Sequence, residues 1–450
     1  MGSRDLTSGN VSLQLMQLAA PLIFGNILQQ LYNTIDALVI GRYAGELEFA
    51  AIGVSASVMN LFLFAVVGAC GGISVIFAQQ YGAGDFASFR QEHFITVVFG
   101  IGTVVVCSIV GMICLPGILR MIQTPGEIYD FVRTYLIVIL AGLPATFLYN
   151  LYSALLRAVG STTAALIVLA AAVATNLILD IFFVAELGLG IFGAALATVF
   201  AQILSAVLAG VYLCRRFPEL VFRRGDCRID RNLLQKTCRF SLTTGLHQSG
   251  LYIGKLLVQG AVNTGGTALI SAYTATTRIE GFANSFGDSG ASATSILVAQ
   301  NYGAKNTKRV QEGFWKSLLL LFGLGVVCSV TMYASAESTV MLLLQERQGL
   351  AFESAVSYLR LISIFYVFCF TGNTFAGYFD GCGKVAIPFI GAISHISLRA
   401  ILSWMWIKQL GLDAVAGATG IGWILVNAFW TIMYAIIVKS NKEKSMPVVH

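Results

Sequence analysis

AQQYGAGD at residues 78–85 returns as AQNYGAKN at residues 299–306, 221 positions further along the chain. Working outward from this pair, Gly25 and Tyr32 recur as Gly245 and Tyr252, and Tyr135-Leu136 recurs as Tyr358-Leu359. RAVG at 157–160 falls on DGCG at 380–383. Four landmarks in one order at nearly constant spacing mark two related halves. Each half holds six long apolar segments. They run over roughly 13–41, 48–80, 92–119, 128–158, 162–185 and 190–214, then 235–262, 268–302, 313–337, 350–382, 385–409 and 416–438. Six is even, so both halves start from the same side of a bilayer and form parallel repeats.

Composition agrees with a chain written for lipid. It is 57% hydrophobic and 11% charged over 450 residues, whereas soluble domains carry about 25% charged residues. Segments beyond ~20 apolar residues span hydrocarbon as helices, and the roughly ten-residue alternation of a membrane barrel is absent. The predicted fold is an all-α integral membrane protein of twelve transmembrane helices in two pseudo-symmetric six-helix bundles. Residues 1–214 form the first lobe, 215–234 a basic linker, 235–438 the second lobe and 439–450 a tail. Lys and Arg concentrate in the linker, beside Lys305, Lys308 and Arg309, and in the tail. By the positive-inside rule this places both termini in the cytoplasm. The first span serves as its own insertion signal.

Ionisable residues at membrane depth cost about 2.5–3.5 kcal/mol each on insertion scales, so they are the candidates for function. Asp36 lies late in span one and Asp180 deep in span five, with Asn176 one helical turn before Asp180 on the same face. Thr198 follows on span six. Carboxylate, amide and hydroxyl oxygens would then meet at one place. Two carboxylates sharing a low-dielectric site cannot both stay ionised cheaply and act as a unit. Such a site takes up and releases a proton or a hard cation, so Na⁺ at Asp36, Asn176, Asp180 and Thr198 is one expectation. The alternative is that each acid only hydrogen-bonds a neighbouring helix. Tyr32, Asn150, Lys255 and Glu280 are supporting or substrate-cleft candidates. Lys255 and Glu280 are expected to pair, and Arg399 and His395 lie on span eleven. Pro21 lies on the helix that carries Asp36 and is expected to bend it.

Other patterns carry no chemistry. Gly188, Gly190 and Gly193 spell GxGxxG, but no strand or βαβ unit surrounds them, so they predict a turn. The nine cysteines show no CxxC spacing. No nucleophile–base or metal constellation occurs, and the chain is expected not to be an enzyme and to need no cofactor.

The APL at 20–22, the paired AQQYGAG and AQNYGAK, and LLRAVGST at 155–162 resemble the multidrug and toxic compound extrusion (MATE) family over about residues 13–438. The resemblance implies V-shaped six-helix lobes exporting amphipathic, often cationic, drug-like molecules in antiport with H⁺ or Na⁺ by alternating access. The first-lobe acidic set at Asp36, Asn176, Asp180 and Thr198, with the bending Pro21, matches the DinF-like branch better than the NorM-like branch. The latter places acids in spans seven and ten, where this chain offers Lys255 and no core acid. A monomer in the plasma (inner) membrane with no nucleic-acid partner is expected. A lipid-linked oligosaccharide or lipid flippase is the alternative within transport. A non-transporting structural membrane protein is the alternative outside it.

Overall fold

The computed structural model describes residues 5–345 and 347–445, with the side chains of 33–38 and 440–445 outside the description. Among the described residues there are twelve long helices and no strand: α1 (Val11–Tyr43), α2 (Glu46–Gly82), α3 (Phe86–Met121), α4 (Gly126–Ala158), α5 (Thr162–Asp180), α6 (Gly190–Arg216), α7 (Arg231–Asn263), α8 (Thr267–Gly303), α9 (Thr307–Leu344), α10 (Leu350–Gly381), α11 (Ala386–Leu410) and α12 (Asp413–Ser445). Each predicted span meets one helix. The helices α3 and α9 overrun their spans because backbone hydrogen bonding continues into the charged interface, where the apolar pattern stops.

Ten of the helices are individually long and apolar enough to cross a bilayer. The two that fall short, α7 and α8, are those that carry Arg239, Lys255, Arg278, Glu280 and Asp288. The equivalent outer helices α3 and α9 turn bare apolar surface outward, with Ile113 73% and Leu319 74% exposed. In a membrane protein this surface meets lipid, so its exposure costs nothing.

The chain forms two compact units. The first contains α1 from Met16 through α6, the linker, the start of α7 to Ser249, and residues 299–306; the second contains the rest of α7 and α8 with α9–α12. Within the first unit α4 packs on α2, α3 and α6, and α5 packs on α6. Within the second, α10 packs on α9 and α12, and α11 packs on α12. The pairs α3–α4, α4–α6 and α5–α6 recur as α9–α10, α10–α12 and α11–α12, as parallel repeats require.

The repeated motif explains its own recurrence. In the first copy α2 ends at Gly82, Gly84 takes a φ of 68°, and Asp85 caps α3 by accepting from the Ser88 N–H at 3.0 Å. In the second copy Lys305 adopts the same left-handed turn, with φ 57°. The two copies also pack together inside the first unit. A Cβ on Gly82 would run into the Gln300 carbonyl, and one on Gly303 would run into the Gln79 carbonyl. Gln300 ties this crossing down, because its Nε2 donates to Ala158 O at 2.7 Å and its Oε1 accepts from the Leu6 N–H at 3.2 Å.

The linker is docked rather than loose. Arg90 of α3 pairs with Asp226 at 3.0 Å, Gln91 Nε2 donates to Arg228 O at 3.1 Å, and buried His93 meets the Leu220 carbonyl through Nδ1. The Arg223 N–H, with Arg90 adding to it, holds the Asp226 carboxyl below its ordinary range against the opposing effect of burial.

Gly82→Ala and Gly303→Ala should each destabilise the protein by about 1–3 kcal/mol, since backbone must shift to admit the methyl group. Gly71→Ala, whose Cβ meets nothing within 4 Å, should be neutral or gain about 0.5–1 kcal/mol as an ordinary helical Gly→Ala change. Thermal unfolding in detergent tests this contrast, and equal melting for the three variants would contradict the crossing. A second measurement addresses the linker. Asp226→Asn should speed tryptic cleavage at Arg223, Arg224 and Arg228 at neutral pH, and an unchanged rate would argue against docking. A depressed acid stabilises above its unfolded value of about 3.9 and loses that contribution as pH falls through the folded value. Wild type and variant should therefore differ in melting temperature at neutral pH and converge in strong acid.

Candidate functional site

Asn176 and Asp180 stand one turn apart on α5, 2% and 0% exposed. Burying both is tolerable only if their polar atoms are satisfied internally. Asn176 does this for three helices at once. With its amide set to suit its neighbours, Nδ2 donates to Asp180 Oδ2 at 2.9 Å and to Tyr32 Oη at 2.8 Å, while Oδ1 accepts from the Thr198 N–H at 3.1 Å. One side chain thus joins α5 to α1 through Tyr32 and to α6 through Thr198. Thr198 enters through its backbone rather than through the hydroxyl that its sequence position suggested. Its Oγ1 donates to Ala194 O at 3.1 Å, which leaves the oxygen's lone pairs free to accept.

The helix changes character beside Asp180. Ile181–Glu186 wind as a π-helix, with the Leu187 N–H donating to Phe182 O. Such wide turns are uncommon and gather at functional sites. This one is pinned by Val184, which is buried with Ile40 of α1 and Ala194 of α6. The apolar cluster therefore lies against the polar one, on the side of the α1–α2 turn. The turn that follows contains Gly188 and Gly190 at φ 63° and 53°, so the GxGxxG pattern is a chain reversal. Glu48 of α2 accepts from the Ile191 N–H and holds the start of α6, where negative charge is favourable.

Asp36 lies within α1, and its side chain is outside the described residues. Asn150 does not join this group; its Nδ2 donates to Thr146 O at 2.8 Å inside its own helix. Pro21 lies in the interior of α1.

In the second unit the expected Lys255–Glu280 pair does not form. The ion pairs among the described residues are Arg90–Asp226, Lys316–Glu312 and Arg360–Glu337. Counted from the α7–α8 turn, Glu280 sits five residues deeper than Lys255, about 7.5 Å along the helix axis. Arg399 is the foremost charge acting on Glu280, ahead of Lys255. Arg399 itself reaches Tyr273 Oη through a long 3.4 Å bond. His395 stacks on Trp423, with ring centroids 6.2 Å apart. This cluster of Glu280, Arg399 and tyrosines was not foreseen as a group. Its members come from α8, α10 and α11 and share no sequence spacing.

Comparison with known proteins follows the same division into halves. The MatE family model matches twice, at residues 21–182 and 245–405. The probable multidrug resistance protein YpnP of Bacillus subtilis is 26% identical over 420 residues, covering 92% of this chain and 93% of its own. The probable multidrug resistance protein NorM of Thermotoga maritima is 25% identical, covering 89% and 87%. Among solved structures, a MOP superfamily transporter from Pyrococcus furiosus superposes with a TM-score of 0.91 at 20% identity, over 98% of this chain and 99% of its own. A MATE structure in a bent conformation superposes at 0.90 and 21% identity, over 98% of each chain.

Asn176→Ala should cost about 1–3 kcal/mol, because it removes three hydrogen bonds that reach three helices, and Tyr32→Phe about 0.5–1.5 kcal/mol, because it removes one of them. Melting midpoints of the two variants give the order. An Asn176→Ala protein as stable as wild type would show that the amide is not the connector.

Proposed function

This chain belongs to the MatE family, and from that premise we propose that it is a secondary active multidrug exporter, moving amphipathic, cationic compounds outward in antiport with H⁺ or Na⁺. Asp36, Asn176, Asp180 and Thr198 form the coupling-ion site, with Tyr32 as its hydrogen-bonded support. The observation that carries the reading is the Asn176 amide, which gathers Asp180, Tyr32 and Thr198 inside an apolar bundle. A merely structural carboxyl would not need a three-helix polar network in lipid-level helices, where each polar group is expensive.

The chemistry of the donors suits either ion. Carboxylate, amide and hydroxyl oxygens are hard ligands of the kind that hold hard cations, and a buried carboxyl can equally hold a proton. Binding a positive ion removes the unfavourable charge of the acid and frees Asn176 to redistribute its bonds among α1, α5 and α6. The π-helical turn and Pro21 are the backbone features of the same helices that can absorb such a change. A ligand shifts a conformational equilibrium only through its different affinity for the two states. Drug and ion should therefore antagonise one another. The names of the curated relatives, which include multidrug resistance and multidrug export proteins, favour a drug-like cargo. Residues 1–214 and 235–438 act as the two halves of the cycle, joined by 215–234. The protein works as a monomer in the plasma membrane with both termini in the cytoplasm.

Reconstituted exchange tests this directly, with Na⁺ and H⁺ gradients imposed separately on proteoliposomes. Efflux of a cationic dye should follow one of the two gradients and fall to background in Asp36→Asn and in Asp180→Asn, while both variants retain wild-type melting profiles. Full gradient-driven flux in both variants would remove the coupling site.

A further inference from the structure

The linker carries charge that neither the coupling site nor the packing uses. Residues 217–230 join α6 to α7 and are held on the first two turns of α3 through Arg90, Gln91 and His93. Beyond those turns α3 shows Val98 and Val106 to lipid, 48% and 59% exposed. The linker therefore lies where the lipid-facing surface of α3 ends, at the level of the headgroups. The end of α6 reaches the same level. Leu204, Leu208 and Val211 form an exposed apolar stripe, and Arg215 continues it one turn further, in the last turn of the helix.

The basic side chains here are uncommitted. Arg215, Arg224, Arg228 and Arg231 are exposed, and none is in an ion pair among the described residues. The neighbouring acids are mostly engaged. Asp226 is held by Arg90 and the Arg223 N–H, and Asp230 accepts from the Asn232 and Leu233 N–H groups at the start of α7. Between Arg228 and Arg231, Ile229 is 60% exposed. An apolar side chain among bases suits a surface that lies on a bilayer. A soluble polyanion would meet the same charge but would have no use for Ile229 or the α6 stripe.

The residue type narrows the partner further. A guanidinium can hold a phosphate by two parallel bonds, whereas an ammonium acts as a point charge. Docking on α3 gives these guanidinium groups fixed starting points, since Gln91 Nε2 holds the Arg228 carbonyl itself. A zwitterionic headgroup brings an ammonium that this surface repels, and an acidic headgroup does not.

We propose that Arg215, Arg224, Arg228 and Arg231 form a binding surface for acidic phospholipids, with guanidinium groups on headgroup phosphates and acyl chains along the α6 stripe and Ile229. It goes beyond the export reading and does not depend on it.

The test is native mass spectrometry of the purified full-length protein in detergent, titrated with phosphatidylglycerol or with phosphatidylcholine of the same acyl chains. Phosphatidylglycerol should bind wild type at least roughly ten-fold more tightly. Arg224→Gln and Arg228→Gln should each weaken phosphatidylglycerol roughly five-fold and leave phosphatidylcholine unchanged. Lys305→Gln, which removes an exposed positive charge from the α8–α9 turn, should change neither. The quadruple Arg→Lys variant keeps the charge and should still bind phosphatidylglycerol more weakly than wild type. Each of these proteins should melt as wild type does, because the altered side chains are exposed. Equal affinity of wild type for the two lipids would overturn the proposal. So would equal weakening by Lys305→Gln and Arg228→Gln, or undiminished binding by the quadruple Lys variant, since either reduces the surface to bulk charge. A thymidine oligonucleotide that displaces phosphatidylglycerol from wild type at equal phosphate concentration would assign the surface to nucleic acid and overturn it as well.

Discussion

A carboxyl group sunk among apolar helices depends on the hydrogen bonds its neighbours can organise around it. Here one amide supplies such a bond and carries it across to two further helices. Asn176 contacts Asp180 along its own helix, Tyr32 across to α1 and the Thr198 backbone across to α6. Hydrocarbon offers no competing partners, so these bonds fix the relative placement of three helices more firmly than the same bonds would in water. The surrounding packing follows. The π-helical turn after Asp180 is held by Val184 against Ile40 and Ala194, and the start of α6 is held by Glu48.

The two halves share a packing scheme but not a chemistry. In each, the fourth helix of six is the hub on which the third and sixth pack. The first half uses the resulting core for a carboxyl–amide network. The second half uses it for a separated acid and base ringed by tyrosines. Duplication explains how this arises. Once a backbone arrangement is copied, the inward positions of each copy can change independently, provided every buried polar group finds a partner or a ligand.

The sequence displayed the architecture plainly because periodic burial in lipid leaves long apolar runs, and the internal repeat set their grouping. It also placed Asn176 and Asp180 on one face, since four residues nearly complete a helical turn. Other features were out of reach. The role of Thr198 passes through its backbone N–H, which every residue but proline possesses. The π-helix at Ile181–Glu186 has no residue signature. The Lys255–Glu280 pairing failed because residue type was read without depth: the two lie on adjacent helices but at different heights. Tyr358 served only as a landmark of the repeat and Tyr366 carried no signal, both being aromatic residues in an apolar helix until α8 and α11 bring Glu280 and Arg399 beside them.

The loudest signal in the chain encodes no chemistry. AQQYGAGD and AQNYGAKN recur because each must end one helix, reverse through a left-handed residue and start the next, and because Gly82 and Gly303 must let two backbones touch. Backbone contacts of this closeness accept only glycine, so the sequence cannot drift without loss of packing. Chemical sites obey a looser rule. They need a charge and partners at a suitable depth, which several helices can supply from different positions. Motif strength in such a protein therefore measures steric constraint. The functional residues are found instead by asking which polar atoms the membrane makes expensive, and what each of them is joined to.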